Sequence, residues 1–139
     1  MFDLVSSNPM IQMMDRAMSL ATQRMTLVAS NLANIDTPGY RTQDFSFEDA
    51  FKEQMAALDR QMSPSGTNQL PSRFADATTA APVPTTNDDQ PFERNDLNDV
   101  NLDQQTMLLA KTQNLYQLSS NFAQVELRRV LGAIRDAEK

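Results

Sequence analysis

The chain predicts a mainly α protein. Two long terminal helices form a coiled-coil-like pair, a short helix follows a Thr-Pro-Gly-Tyr turn, and the middle segment is extended or disordered. Three observations predict this. Apolar residues recur at spacings of three and four near both ends of the chain. Pro38-Gly39 stops the first periodic stretch. Between residues 63 and 98 the periodicity fails and prolines recur.

Asn8 suits an N-cap and Pro9 the first helical position, where a missing N–H costs nothing. Ile11, Met14, Met18, Ala21, Met25, Val28 and Leu32 then follow as a heptad seam. Met13, Ala17, Leu20 and Leu27 widen it, while Asp15, Arg16, Gln23 and Asn31 fall outside it. The helix is expected to end near Asn34. Pro38 disfavours helical geometry at Thr37, and Pro38-Gly39 fit the central positions of a type II turn, with Gly39 supplying positive φ. Met10, Met13, Met14, Met18 and Met25 read as adaptable core filling, with contact to non-identical neighbours as the functional version. Tyr40 is either a ring packed over the turn or an anchor between subunits.

A weaker helix is predicted from Phe47 to about Gln61, capped by Ser46 and favoured by Glu48 and Asp49 at its positive end. Phe47, Phe51, Met55, Leu58 and Met62 form its apolar edge. Ser63-Pro64-Ser65-Gly66 breaks it. Prolines 71, 82, 84 and 91 lie in a stretch too polar to offset its ordering entropy, with Phe74, Val83 and Phe92 as candidate anchors. The last helix starts near Leu102, where Asn101 and Gln104 are placed like a capping box. Leu108, Leu115, Leu118, Phe122 and Val125 make one apolar face, extended by Leu109, Tyr116, Ala123, Leu127, Val130 and Ile134. Gln113, Gln117, Gln124, Arg128 and Arg135 project opposite. Such a wide apolar arc exceeds what one partner helix covers and predicts association. The organisation is thus 1–40 for the first helix and turn, 41–98 for the short helix and arm, and 99–139 for the last helix.

The 139 residues carry a formal charge of −6. Thirteen acidic and five basic side chains lie between Asp36 and Asp103, and no basic stripe suggests nucleic acid or an anionic membrane. There is no cysteine and no histidine. The commonest general base, the thiolate nucleophile and the commonest metal ligands are therefore missing, which argues against an enzyme. No glycine-rich phosphate loop and no nucleophile elbow occurs, and no small-molecule substrate or cofactor is expected. Asp88-Asp89 and Asp96, Asp99 and Asp103 lack the core of a calcium loop and read as a solvated acidic linker. Met1-Phe2-Asp3-Leu4 has neither a positive nor an apolar leader region, so a Sec-type signal is not expected.

Ser30-Asn31-Leu32-Ala33-Asn34 followed by Thr37-Pro38-Gly39-Tyr40 resembles the N-terminal signature of the flagellar axial proteins, the rod and hook subunits. Asn98-Asp99-Val100-Asn101-Leu102-Asp103 resembles the segment that opens that family's C-terminal helix. The short length, the intact turn and Tyr116-Gln117 resemble the FlgB type of short proximal-rod subunit more than FlgC or the larger hook and distal-rod chains. The resemblance covers roughly residues 1–60 and 92–139; the polar residues past Ile134 are a modest departure. It implies a structural subunit of the proximal rod in the periplasmic part of the bacterial flagellum basal body, serving cell motility. Its terminal helices would self-assemble into an inner layer that links the MS ring to the rest of the rod and transmits torque. Implied partners are further copies, other rod proteins of the FlgC, FlgF and FlgG types, the adaptor FliE, the MS-ring protein FliF and the flagellar export gate. Implied export is by the type III route without a cleaved signal. A soluble helical adaptor or export chaperone with a disordered acidic insert is the alternative.

Overall fold

The computed structural model describes residues 8–62, 82–86 and 94–137, with the side chains of 60–62 and 137 left aside. Expectations for the rest of the middle segment, including Phe74, Asp88-Asp89 and Phe92, lie outside the described residues. Helix α1 spans Pro9–Ala33, strand β1 Gln43–Asp44, helix α2 Phe47–Met62, strand β2 Thr85–Thr86 and helix α3 Leu102–Ala137.

Each helix starts where its cap residue stands. Asn8 accepts from the backbone N–H groups of Met10 and Ile11, and Pro9 opens α1. Asn34 is its C-cap. Ser46 Oγ accepts from Asp49 N at the start of α2, and Asn101 Oδ1 accepts from Gln104 N at the start of α3. Phe47 and Phe51 stack along α2 with centroids 6.2 Å apart.

The two long helices run antiparallel. Asn8 Nδ2 donates to Glu126 Oε1 at one end, and Asn31 Nδ2 donates to Gln105 Oε1 at the other. At 1.5 Å per residue α3 is about 54 Å long and α1 about 38 Å. Since Asn8 meets Glu126, the last turns of α3 run past the start of α1.

The residues between these helices differ from the expected seam. On α1 the buried positions are Met14, Ala17, Leu20, Ala21, Val28 and Asn31. Ile11, Met18, Met25 and Leu32 of the expected seam are only half-buried. Asn31, expected outside the seam, is fully buried. On α3 the buried positions are Gln105, Thr112 and Ser119, one heptad apart. Ala17 and Ala21 on α1 and Thr112 and Ser119 on α3 are small buried residues, a composition that permits close helix packing. The wider apolar face of α3 is turned away instead, with Leu118 55%, Phe122 50% and Val125 62% exposed.

A short antiparallel pairing of Gln43 with Thr86 and Asp44 with Thr85 joins the middle segment to β1. Arg24 holds this corner to α1 through a two-pronged ion pair with Asp44, and its guanidinium lies over the buried Phe45 ring. Among the described side chains of α2, Leu58 and Gln54 are buried, while Phe47, Phe51 and Met55 of its expected apolar edge are half-buried.

Candidate assembly junction

The turn after α1 meets the segment before α3, and the contact is almost entirely polar. Thr37, Pro38, Gly39 and Tyr40 form a turn closed by Tyr40 N–H donating to Thr37 O at 3.2 Å. Gly39 takes φ +70°, as position i+2 of a type II turn requires. Thr37 Oγ1 donates to Asn34 Oδ1, and Asn34 Nδ2 reaches back to Ser30 O. The last turn of the helix and the following loop are thereby tied together.

Residues 94–100 close over this turn. Asn98 is fully buried, and its Nδ2 lies 2.8–3.1 Å from three carbonyls, those of Asn34, Ile35 and Thr37. These are carbonyls left over at a helix C-terminus and turn, which must otherwise find water. Asn98 Oδ1 accepts from Val100 N at 2.8 Å, and Gly39 N–H donates to Asp96 O at 2.9 Å. Arg94 Nη1 donates to Ile35 O and lies 3.6 Å from the Asp36 carboxylate. To shape this loop Leu97 takes φ +63°, unusual for a residue with a side chain, while staying 59% exposed.

Asp99 corrects the reading of a solvated acidic linker. It is buried, and its Oδ1 accepts from both Thr42 N–H and Thr42 Oγ1 at 2.6 Å. Its Oδ2 has no hydrogen bond among the described residues and faces Arg41 Nη1 at 3.7 Å. The end of the expected loose arm, residues 94–98, is likewise an internal clamp.

Asn31 is the second centre. Its Nδ2 donates to Gln43 O and Gln105 Oε1, and its Oδ1 accepts from Gln43 N–H and Tyr40 OH. Both donors and both lone pairs are used. Tyr40 is thus bonded within its own chain, with the Ser30 hydroxyl 3.4 Å from the same phenol oxygen.

The signature residues Ser30, Asn31, Asn34, Thr37, Gly39 and Tyr40 therefore converge on one junction; Leu32 is half-buried beside it, and Ala33 and Pro38 are exposed. The expected seam residues divide. Met14, Ala21 and Val28 are buried; Leu108, Leu115, Val130 and Ile134 are half-buried; Leu118, Phe122, Val125 and Leu127 face outward. Sequence reasoning missed Gln43, Asp99 and Gln105 as structural partners. Asp99 stood in a string singled out only by resemblance, and the helical spacing of Gln105, Thr112 and Ser119 gave a weak signal, since polar residues at heptad spacing normally mark a solvated face.

The arrangement offers hydrogen-bonded rigidity and an outward apolar surface. No group of three or more metal-ligating side chains is found among the described residues. Shallow surface depressions lie on α3 near Tyr116, Gln117, Ser120 and Asn121 and near Arg128, Leu131 and Arg135. No described helix is long and apolar enough to cross a membrane.

Comparison with known proteins matches residues 11–41, which cover most of α1 and the turn, to the model of the "Flagella basal body rod protein" family. The chain is 26% identical over 133 residues to the flagellar basal body rod protein FlgB of Buchnera aphidicola, covering 92% of this chain and 96% of that one. It is 26% identical over 133 residues to the protein of the same name in Escherichia coli K12, covering 90% and 92%. The Salmonella typhimurium protein of that name is 38% identical over 45 residues, about a third of each chain.

Proposed function

We propose that this chain is a flagellar basal body rod protein and a structural subunit of the proximal rod, on its similarity to the rod protein family over residues 11–41 and to the FlgB proteins along most of its length. Rod membership and a place in the flagellar basal body come with the family. The finer reading is that it connects the MS ring and export apparatus to the rest of the rod and carries torque between them. One observation supports it above the others. On α3, Leu118, Phe122, Val125 and Leu131 are left half or more exposed. A large exposed apolar surface on a helix marks a protein contact. A subunit of a tube needs such surfaces for neighbours on several sides, because contacts that do not close on themselves give open assemblies.

In this reading the junction around Asn31, Asn98 and Asp99 supplies stiffness. Torque passes through a subunit only if its helices keep their relative geometry, and hydrogen bonds between segments more than 50 residues apart resist shear. Partners are further copies, other rod proteins of the FlgC, FlgF and FlgG types, the adaptor FliE and the MS-ring protein FliF. Export follows the flagellar type III route, through the export gate and without a cleaved signal.

The test is deletion of the gene followed by electron microscopy of isolated basal bodies. Rings lacking a rod, restored by the intact gene, are the expected result. Normal rods and filaments in the deletion strain would overturn the proposal.

A further inference from the structure

Two residues near opposite ends of α3 are poorly suited to their own chain. Leu97 stands at φ +63°, a region in which Gly or Asn is at ease, and its large apolar side chain is 59% exposed. Hydrogen bonds account for the turn itself: Leu97 N–H donates to Arg94 O at 3.0 Å, and Arg94 N–H donates to Asn98 O at 2.9 Å. Neither bond calls for a leucine. Strain kept at an exposed residue points to a contact made elsewhere. Gly132 lies inside α3, where glycine weakens a helix relative to alanine. A Cβ there would meet nothing within 4 Å, so no close approach among the described residues requires the glycine.

The two features are complementary in shape. Gly132 lines a depression of about 380 Å³ together with Arg128, Leu131, Ile134 and Arg135. Leu131, Gly132 and Ile134 give it apolar surface, and the arginines give it charge. Leu97 is the converse, one apolar side chain at the tip of a turn. They are also complementary in charge. Asp36, Asp96, Asp99 and Asp103 outnumber Arg41 and Arg94 around the turn, and Arg128, Arg129 and Arg135 outnumber Glu126 and Asp136 around the notch. Of these, Asp36, Asp96 and Asp103 at one end and all three arginines at the other are exposed.

Turn and notch do not meet within one chain. Leu97 belongs to the junction before α3, and Leu131 lies roughly 44 Å along that helix from Leu102 at 1.5 Å per residue. A second copy placed end to end brings them together. Such a contact repeats, because each added copy presents another turn and another notch.

We propose that Leu97 of one copy inserts into the Gly132 notch of a second copy, a head-to-tail contact directed along α3. The proposal rests on the reading of the chain as an assembling subunit and names one of its contacts. Its test is separate, since a rod subunit that met only other proteins would satisfy the gene deletion and fail the crosslinking below.

The chain has no cysteine, so introduced thiols report contacts without interference. Leu97→Cys and Leu131→Cys are purified as separate full-length variants, one carrying a size tag, then mixed at high concentration and oxidised with copper phenanthroline. A disulfide-linked dimer with one copy of each is expected, at least tenfold above the dimer that either variant forms alone. Leu97→Cys mixed with Gln113→Cys, exposed on α3 roughly 27 Å from Leu131, is expected to give only background. Gly132→Leu fills the notch without a clash and favours the helix, so Leu131→Cys/Gly132→Leu should keep its circular dichroism and lose the mixed dimer tenfold. A mixed dimer no more abundant than the Gln113→Cys control would overturn the proposal. So would dimers of like variants in excess, which mean a face-to-face contact, or an undiminished yield with the notch filled. If Gly132→Leu fails to fold, the comparison with Gln113→Cys decides alone.

Discussion

Thr42 and Asp99, 57 residues apart, are joined by two hydrogen bonds to one carboxylate oxygen, from the Thr42 backbone N–H and from its hydroxyl. Both residues are buried. Bonds to a charged acceptor contribute about 1.5–3 kcal/mol each, and a buried N–H left without a partner is costly. Asp99→Ala is therefore expected to destabilise the chain by about 2–4 kcal/mol in urea unfolding. Thr42→Val removes only the hydroxyl and should cost about 1 kcal/mol. Equal midpoints for Asp99→Ala and the parent would show that the clamp contributes nothing to folding.

Two backbone positions in the junction have positive φ and call for opposite substitutions. A Cβ added at Gly39 meets nothing within 4 Å, so Gly39→Ala carries backbone strain alone, about 1–2 kcal/mol. Leu97 already bears that strain at φ +63° while its side chain is 59% exposed. Leu97→Asn, a residue that tolerates this region, is expected to stabilise by about 0.5–1 kcal/mol. Thermal or urea melts of the two variants should therefore move in opposite directions. A fall for Leu97→Asn as large as that for Gly39→Ala would mean that the exposed leucine makes a contact worth more than its strain.

The sequence made the helices legible because their signals are local. Asn8-Pro9, Ser46 and Asn101 sit at the starts of α1, α2 and α3, and Pro38-Gly39 form the turn. The junction was only half legible. Its α1 side and the Asn98–Asp103 string each resembled family segments, but they lie more than 50 residues apart and nothing local pairs them, while Gln105 looks like an ordinary polar residue of a helix face. The rotation of α3 was not legible. Periodicity finds an apolar stripe and cannot say whether the stripe faces its own chain or another. Burial of Gln105, Thr112 and Ser119 is set by tertiary packing, which periodicity does not show.

Arg24 and Lys52 both pair with a carboxylate, but only one pair is expected to matter. Arg24 reaches Asp44 with two guanidinium nitrogens, and both side chains are less than one-fifth exposed. Arg24→Lys loses the fork and the contact with Phe45 and should cost about 1 kcal/mol. Lys52 and Glu48 are neighbours on the exposed face of α2. The hydrogen bond and the charge of Glu48 raise the Lys52 pKa above its ordinary 10.5. A raised amine pKa gives stability that is complete below the unfolded value and fades only as pH climbs through the folded one. Stability between pH 6 and 9 should thus be insensitive to Glu48→Gln, because water and salt screen so exposed a pair. A pH-dependent loss of stability in that variant within this window would contradict the assignment.

Val28 and Leu118 were expected to share an assembly seam, yet they occupy opposite environments, and the same substitution separates folding from assembly. Val28 is 1% exposed between the helices, and Leu118 is 55% exposed on the outer face of α3. Val28→Asp buries a charge with no partner, so a loss of about 3 kcal/mol or more is expected, with poor accumulation of the protein in cells. Leu118→Asp places its charge in water, and its unfolding midpoint should stay within about 0.5 kcal/mol of the parent. Yet it puts a carboxylate on the surface proposed to meet neighbouring subunits, so rods should be absent and cells non-motile. Soft-agar swimming beside urea unfolding of the purified chain checks both halves. Normal swimming by Leu118→Asp cells would remove the outer face of α3 from the assembly contact. Loss of stability in that variant would mean that Leu118 packs within its own chain.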